Sequence, residues 1–257
     1  MKIGAVNDYR NKVEDEIRWI ASKGFDYVDL TLEPVMSSGV DVSAVKDALA
    51  ETGLSVIGHT SPSLPLVFPL KSIRKPAWNE FIKYADIFEQ LPVKYITLHP
   101  SLNMPLIDKD KMFKYNREMI ERADRIMRDR GKVLILESFL DPFDTPASFK
   151  RLLEGLDKVK VHVDVGHCNI SDGGNCTESF FRQFGDRIVH THFSDNYGRT
   201  DAHNAVGDGN IDWKKMVEVM LFHGYDKTIT LEVFTGSRED LISSKDKIVK
   251  ILGEAEK

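Results

Sequence analysis

"VKVHVDVGH" (residues 159–167) has the pattern of a buried parallel strand, because its apolar β-branched residues run almost without interruption. Seven similar runs follow or precede it along the chain. They are "KIGAVN" (2–7), "FDYVDLTLE" (25–33), "LSVIGHT" (54–60), "VKYITLHP" (93–100), "KVLILES" (132–138), "RIVHTHFSD" (187–195) and "KTITLEVF" (227–234). Helical patterns separate the runs, for example "DVSAVKDALAETG" with an Asp cap and a Gly stop. Eight alternations of strand and helix predict an α/β fold, a single (β/α)8 TIM barrel over residues 1–257.

An open, doubly wound sheet is the alternative fold. No GxGxxG follows the first strand and no Walker motif is present, and eight units match closure of a barrel better. No linker or shift in composition marks a second domain. The Pro-rich stretches 61–76 and 100–108 predict irregular loops over one face of the barrel.

The composition is that of a soluble globular protein, with 42% hydrophobic and 29% charged residues among 257. No apolar run approaches the roughly 20 residues that span a bilayer, so we expect no membrane partner. The net charge of −5 offers no basic field for a polyanion. Two cysteines, Cys168 and Cys176, make no disulfide framework, and we expect reduced thiols in a cytoplasmic protein.

Side chains that commonly bind metals stand at the C-terminal ends of six consecutive predicted strands, the ends that form the catalytic face of such a barrel. They are His59, His99, Glu137, Asp164, His167, His192, Asp201, His203 and Glu232. Carboxylates inside apolar strands are costly to bury unless a positive charge neutralises them. A divalent cation does so, and mixed imidazole and carboxylate ligands suit zinc, manganese, cobalt or iron rather than calcium.

Four further polar residues are weaker candidates. His162 and His190 share faces with the site residues of the sixth and seventh strands, and we interpret them as core histidines beneath the site. Glu33 ends the second strand, and we expect it to hydrogen-bond substrate. Arg199 lies in the loop after the seventh strand, where a guanidinium would hold an anionic or hydroxylated substrate.

Three motifs together carry a family resemblance: "LES" at the end of the fifth strand, "VDVGH" on the sixth, and "HTHFSDNYGRTDAHNAVGDGNIDW" (190–213). The chain resembles, over essentially its whole length, the xylose isomerase-like barrel superfamily. That superfamily includes sugar and sugar-phosphate isomerases and epimerases and the endonuclease IV family. The resemblance implies a shared metal bound by Glu137, Asp164, His192 and Glu232.

The resemblance leaves two enzyme classes open. The full set of nine candidate ligands matches the three-zinc site of endonuclease IV-like nucleases, which cleave DNA at abasic sites. Against a nuclease, the sixth strand reads "DVGH" rather than Asp-Thr-Cys-His, and Asp-Ala-His replaces the nuclease's His-Glu-His. A third alternative, of another class, is a barrel that binds metal and sugar without turnover.

We therefore expect an isomerase or epimerase that abstracts a proton next to a carbonyl and passes through an enediolate. Glu137 and Glu232 come from separate parts of the ring and form the expected acid/base pair. His167, Arg199 and Glu33 would bind the hydroxyl or phosphate groups of a sugar or sugar phosphate. The expected cofactor is one to three ions of manganese, zinc, cobalt or magnesium. A homo-oligomer is compatible with this interpretation, and nucleic acid belongs only to the nuclease alternative.

Overall fold

A computed structural model describes residues 1–34, 39–102 and 108–255. Eight parallel strands form a closed barrel in the order β1 to β8. They are β1 (Lys2–Val6), β2 (Tyr27–Leu32), β3 (Ser55–Thr60), β4 (Tyr95–Leu98), β5 (Val133–Glu137), β6 (Lys160–Asp164), β7 (Ile188–Phe193) and β8 (Thr228–Leu231). The predicted (β/α)8 TIM barrel is confirmed.

Helices alternate with the strands. They are α1 (Val13–Ser22), α2 (Val42–Thr52), α3 (Lys71–Gln90), α4 (Lys109–Arg128), α5 (Pro146–Leu153), α6 (Val165–Ile170), α7 (Thr177–Phe184), α8 (Trp213–Phe222) and α9 (Arg238–Ala255). Two helices, α6 and α7, follow β6, and a 3₁₀ turn (Gly185–Arg187) leads into β7. None of the helices in the described part of the chain is long and apolar enough to cross a membrane.

The chain divides into two compact units, each with its own strands. One consists of Met1–Val6, Ser138–Phe149 and Val161–Lys257, and its strands pair in the order β6, β7, β8, β1. The other consists of Asn7–Glu137 and Lys150–Lys160, with β2 to β5 paired in chain order. A single domain for the whole chain stays a prediction.

Local sequence accounts for most of these elements. All six residues of β2 are buried, as expected for a strand covered on both faces. The helix α1 buries Val13, Ile17 and Ile20, whose spacing of three and four residues places them on one face. At α2 the side chain of Asp41 caps the first turn, and Gly53, at φ 70°, ends the helix in the left-handed conformation.

The predicted loop over 61–76 is wrong from Lys71 onward, because α3 begins there and contains Pro76. Pro76, the sixth residue of α3, donates no backbone hydrogen bond, but the buried face that follows, with Phe81 and Phe88, favours the helix despite this cost. The predicted loop over 100–108 ends at Asp108, whose side chain accepts a hydrogen bond from the backbone N–H of Lys111 and caps α4. Its residues 103–107 lie outside the described residues.

The loop between β7 and α8 is organised around the buried carboxylate of Asp195. Its oxygens accept hydrogen bonds from four donors. They are the backbone N–H groups of Asn196 (2.9 Å), Gly207 (2.8 Å) and Ile211 (3.3 Å) and the indole N–H of Trp213 (2.8 Å). Asp195 and Asn204 also exchange two backbone hydrogen bonds of 2.9 Å. One side chain therefore holds the loop that carries Asp201 and His203.

We expect Gly209→Ala to destabilise this loop and the protein. A Cβ at Gly209 would collide with the carboxylate of Asp195 and with the backbone of Asn196, which cannot swing aside as a flexible side chain can. Overpacking of this kind costs about 1–3 kcal/mol. Thermal unfolding, with limited proteolysis of the loop, measures the effect.

Gly253→Ala in α9 is the matched control, because nothing lies within 4 Å of the added Cβ. It should leave stability unchanged or raise it by about 0.5–1 kcal/mol, as alanine does in helices. Equal melting temperatures for Gly209→Ala and the wild type would contradict the role assigned to Asp195.

Candidate active site

Three predicted metal ligands lie side by side in the unit that contains β6, β7 and β8. Asp164, the last residue of β6, pairs in register with His192 of β7, and Glu232 directly follows β8. The Nδ1 atom of His192 lies 3.0 Å from Oε2 of Glu232 and 3.9 Å from Oδ2 of Asp164. Asp164 and His192 are fully buried. Two carboxylates therefore lie near the same ring nitrogen of a fully buried imidazole.

A second cluster of the same unit consists of His167, Asp201 and His203. A single oxygen, Oδ2 of Asp201, lies 3.1 Å from Nε2 of His167 and 3.0 Å from Nε2 of His203. The other oxygen, Oδ1, is buried and has no hydrogen-bond partner within the described residues. Nδ1 of His167 donates to the carbonyl oxygen of Ser138 at 2.9 Å, so Nε2 is the ring nitrogen that faces the carboxylate.

The electrostatics of this cluster favour a positive charge. Burial by itself lowers the pKa of His203, but the carboxylates of Glu232 and Asp201 outweigh it and raise the pKa to about 9. Burial likewise opposes ionisation of Asp201, yet hydrogen bonds from His167 and His203 hold the pKa of its carboxyl well below the usual range. This cluster could therefore hold either a proton or a metal cation beside the carboxylate of Asp201.

A third group lies in the other unit, where β3, β4 and β5 end. The Nε2 atoms of His59 and His99 are 3.4 Å apart, and they lie 3.5 and 3.0 Å from Oε2 of Glu137. The two rings stack with centroids 4.9 Å apart. Two imidazole nitrogens and one carboxylate oxygen thus converge within 4.8 Å of one another, a set that could hold a metal ion.

The carboxylate of Asp29 extends this third group and was missed by sequence reasoning. Asp29 is fully buried in the middle of β2, and its Oδ1 lies 3.7 Å from Nδ1 of His59. The signal was an acidic residue inside the apolar run "YVDLTL". A carboxylate that contacts one ring nitrogen of a histidine can orient the ring so that the other nitrogen binds a metal.

The placement of His167 on the sixth strand is wrong, because β6 ends at Asp164 and α6 begins at Val165. The carboxylate of Asp164 accepts a hydrogen bond of 2.7 Å from the backbone N–H of His167 and thereby caps the new helix. The backbone N–H of Asp164 in turn donates to Oγ of Ser138 at 2.9 Å. The helical turn brings His167 to Asp201, which an extended strand would not do.

The remaining candidates lie around these groups. His162 and His190 are fully buried. The ring centroid of His162 lies 4.0 Å from that of His192 and 4.4 Å from that of His190. Glu33 is half-buried and accepts a hydrogen bond of 2.6 Å from Ser61. Arg199 is exposed. Contact of Glu33 and Arg199 with a substrate stays a prediction.

Two structural neighbours share the fold over almost the whole chain. A D-tagatose 3-epimerase-like protein aligns with a TM-score of 0.86 and 20% identity, covering 100% of this chain and 98% of its own. The 3-keto-D-glucoside 4-epimerase YcjR from E. coli aligns with a TM-score of 0.79 and 18% identity, covering 98% of each chain. These alignments show a common fold with sugar epimerases.

Sequence comparison identifies a family and a relative that matches only part of the chain. The uncharacterized protein MJ1311 of Methanocaldococcus jannaschii is 31% identical over 106 residues, which are 40% of this chain and 35% of that protein. The matched segment therefore spans about a third of the relative. A family model described as xylose isomerase-like TIM barrel matches residues 17–250. The chain belongs to the xylose isomerase-like TIM barrel family.

Proposed function

We propose that this protein is a divalent-metal-dependent isomerase or epimerase of sugars or sugar phosphates. The observation that carries the proposal is the placement of carboxylates beside imidazoles at the ends of the barrel strands, with Nδ1 of His192 near both Glu232 and Asp164. The sugar-epimerase names of both structural neighbours support the substrate class. The two cysteines are free thiols, which supports a cytoplasmic location.

We propose that Glu137, Asp164, His192 and Glu232 bind the metal. Their strands, β5 to β8, are consecutive in the barrel, and each residue stands at or next to the C-terminal end of its strand. Three carboxylates and one imidazole suit manganese, zinc, cobalt or magnesium. When bound, the ion would polarise the carbonyl and hydroxyl oxygens of the substrate and so increase the acidity of the neighbouring C–H.

In this proposal Glu137 and Glu232 are the acid/base pair. One carboxylate takes the proton from the carbon next to the carbonyl, which leaves an enediolate, and the other carboxyl returns a proton. Contacts with ring nitrogens hold both groups: Oε2 of Glu232 lies 3.0 Å from His192, and Oε2 of Glu137 lies 3.0 Å from His99. His167, Arg199 and Glu33 would bind the remaining hydroxyl or phosphate groups.

One specific observation favours the nuclease alternative. The His59–His99–Glu137 group and the His167–Asp201–His203 cluster each offer donors for a further ion, as a three-zinc phosphodiesterase requires. The buried Oδ1 of Asp201 is a suitable metal ligand. The two enzymes therefore differ in the number of ions that the protein retains.

Elemental analysis of purified, untagged protein should find one or two divalent ions per chain. His192→Ala should lose at least one of them, because it removes the imidazole that lies beside both carboxylates. Glu154→Gln, which changes an exposed residue, is the matched control and should retain them all. Close to three zinc ions, with cleavage of abasic-site DNA, would favour the nuclease instead. No metal after reconstitution would contradict both enzymes.

Glu137→Gln and Glu232→Gln should each slow the exchange of substrate C–H for solvent deuterium by about 10²–10⁴-fold, because each removes a carboxylate that is proposed both to bind the metal and to transfer a proton. Mass spectrometry after incubation in D₂O measures the exchange on a panel of ketoses and ketose phosphates. Glu154→Gln should exchange at the wild-type rate. Full exchange by both active-site variants would refute the acid/base assignment, whereas binding without exchange by the wild type would indicate the non-catalytic alternative.

A further inference from the structure

Arg74 on α3 and Arg122 on α4 form no ion pair with a carboxylate of the described residues, unlike six other arginines of this protein. Six others form ion pairs with carboxylates: Arg10, Arg18, Arg117, Arg128, Arg130 and Arg151. Arg74 donates to the carbonyl oxygen of Phe68 at 3.1 Å, and the guanidinium of Arg122 lies over the ring of Trp78, 4.0 Å from its centroid. Across residues 1–34, 39–102 and 108–255, neither arginine has a carboxylate within ion-pair distance.

No carboxylate among the described residues forms an ion pair with either guanidinium. Partial burial lowers the pKa of Arg122, and the nearby guanidinium charges of Arg74 and Arg125 lower it further. The helix α4 carries seven basic and four acidic side chains, although the whole chain has a net charge of −5. Repulsion among neighbouring cations destabilises the folded protein unless an anion binds between them.

Both arginines line one cavity of about 210 Å³ between α3 and α4. Trp78 forms part of its wall, and its indole N–H is already bonded to the carbonyl oxygen of Leu66 at 3.1 Å. Tyr115 also lines the cavity, and its hydroxyl makes no hydrogen bond within the described residues. Glu118 is the acidic residue of the lining, and it is exposed. The cavity therefore offers two guanidiniums and one hydroxyl.

We propose that this cavity binds phosphate or the phosphate group of a small phosphate monoester. Guanidinium forks donate paired hydrogen bonds to phosphate oxygens, and two cations match a dianion better than they match a monocarboxylate. The hydroxyl of Tyr115 would donate to a third oxygen. None of the candidate active-site residues lines this cavity. The anion site is therefore independent of the proposed isomerase, and either one can fail without the other.

Isothermal titration of the purified protein with inorganic phosphate at low ionic strength tests the site. Arg74→Gln and Arg122→Gln should each weaken binding about tenfold, because each removes a charge-assisted contact. Glu118→Gln should tighten binding several-fold, because it removes a negative charge from the lining. Arg117→Gln is the matched control on α4, since Arg117 pairs with Glu121 outside the cavity, and it should bind within twofold of the wild type.

Three results would overturn the proposal. Wild-type affinity in both Arg74→Gln and Arg122→Gln would show that phosphate binds elsewhere. Acetate binding as tightly as phosphate would contradict a site for a dianion. Weaker binding by Glu118→Gln would contradict the assigned charge balance. Circular dichroism of each variant verifies that it is folded, and unchanged metal content separates a loss at this cavity from damage to the proposed metal site.

Discussion

Carboxylates buried beside imidazoles are the constraint on which this protein depends. Asp164 and Glu137 are completely buried at the ends of their strands, and Asp29 is buried within β2. A buried negative charge without a partner costs several kcal/mol, so the interior must supply positive charge. A protonated histidine or a bound metal cation can supply it. The raised pKa of His203 shows that the carboxylates around it favour the positive form.

One residue can serve the fold and the site together. The carboxylate of Asp164 ends β6, caps α6 through the backbone of His167, and stands 3.9 Å from His192. Asp195 plays a comparable part for the loop after β7, where four donors converge on its side chain. The loop that carries Asp201 and His203 is therefore held by hydrogen bonds to Asp195.

Much of the fold could be predicted because its signals are local. Apolar runs of strand length, Asp caps such as Asp41 and Gly stops such as Gly53 act over a few residues, and eight repeats permit closure. The error at Lys71 arose because a Pro-rich stretch favours a loop, whereas the buried face of α3 favours a helix through Pro76. Packing against the rest of the fold outweighed the local preference.

The sequence by itself determined the barrel and the side chains at the ends of its strands, such as Glu137, Asp164 and His192, since both follow from periodicity and from strand ends that share one face. Only the tertiary structure decided how those side chains group. It placed Oδ2 of Asp201 between two imidazoles, put His167 on a helix rather than a strand, and brought Asp29 to His59. It also brought Arg74 and Arg122 to one cavity. These contacts join residues far apart in the chain, and no periodic pattern encodes the distance between them.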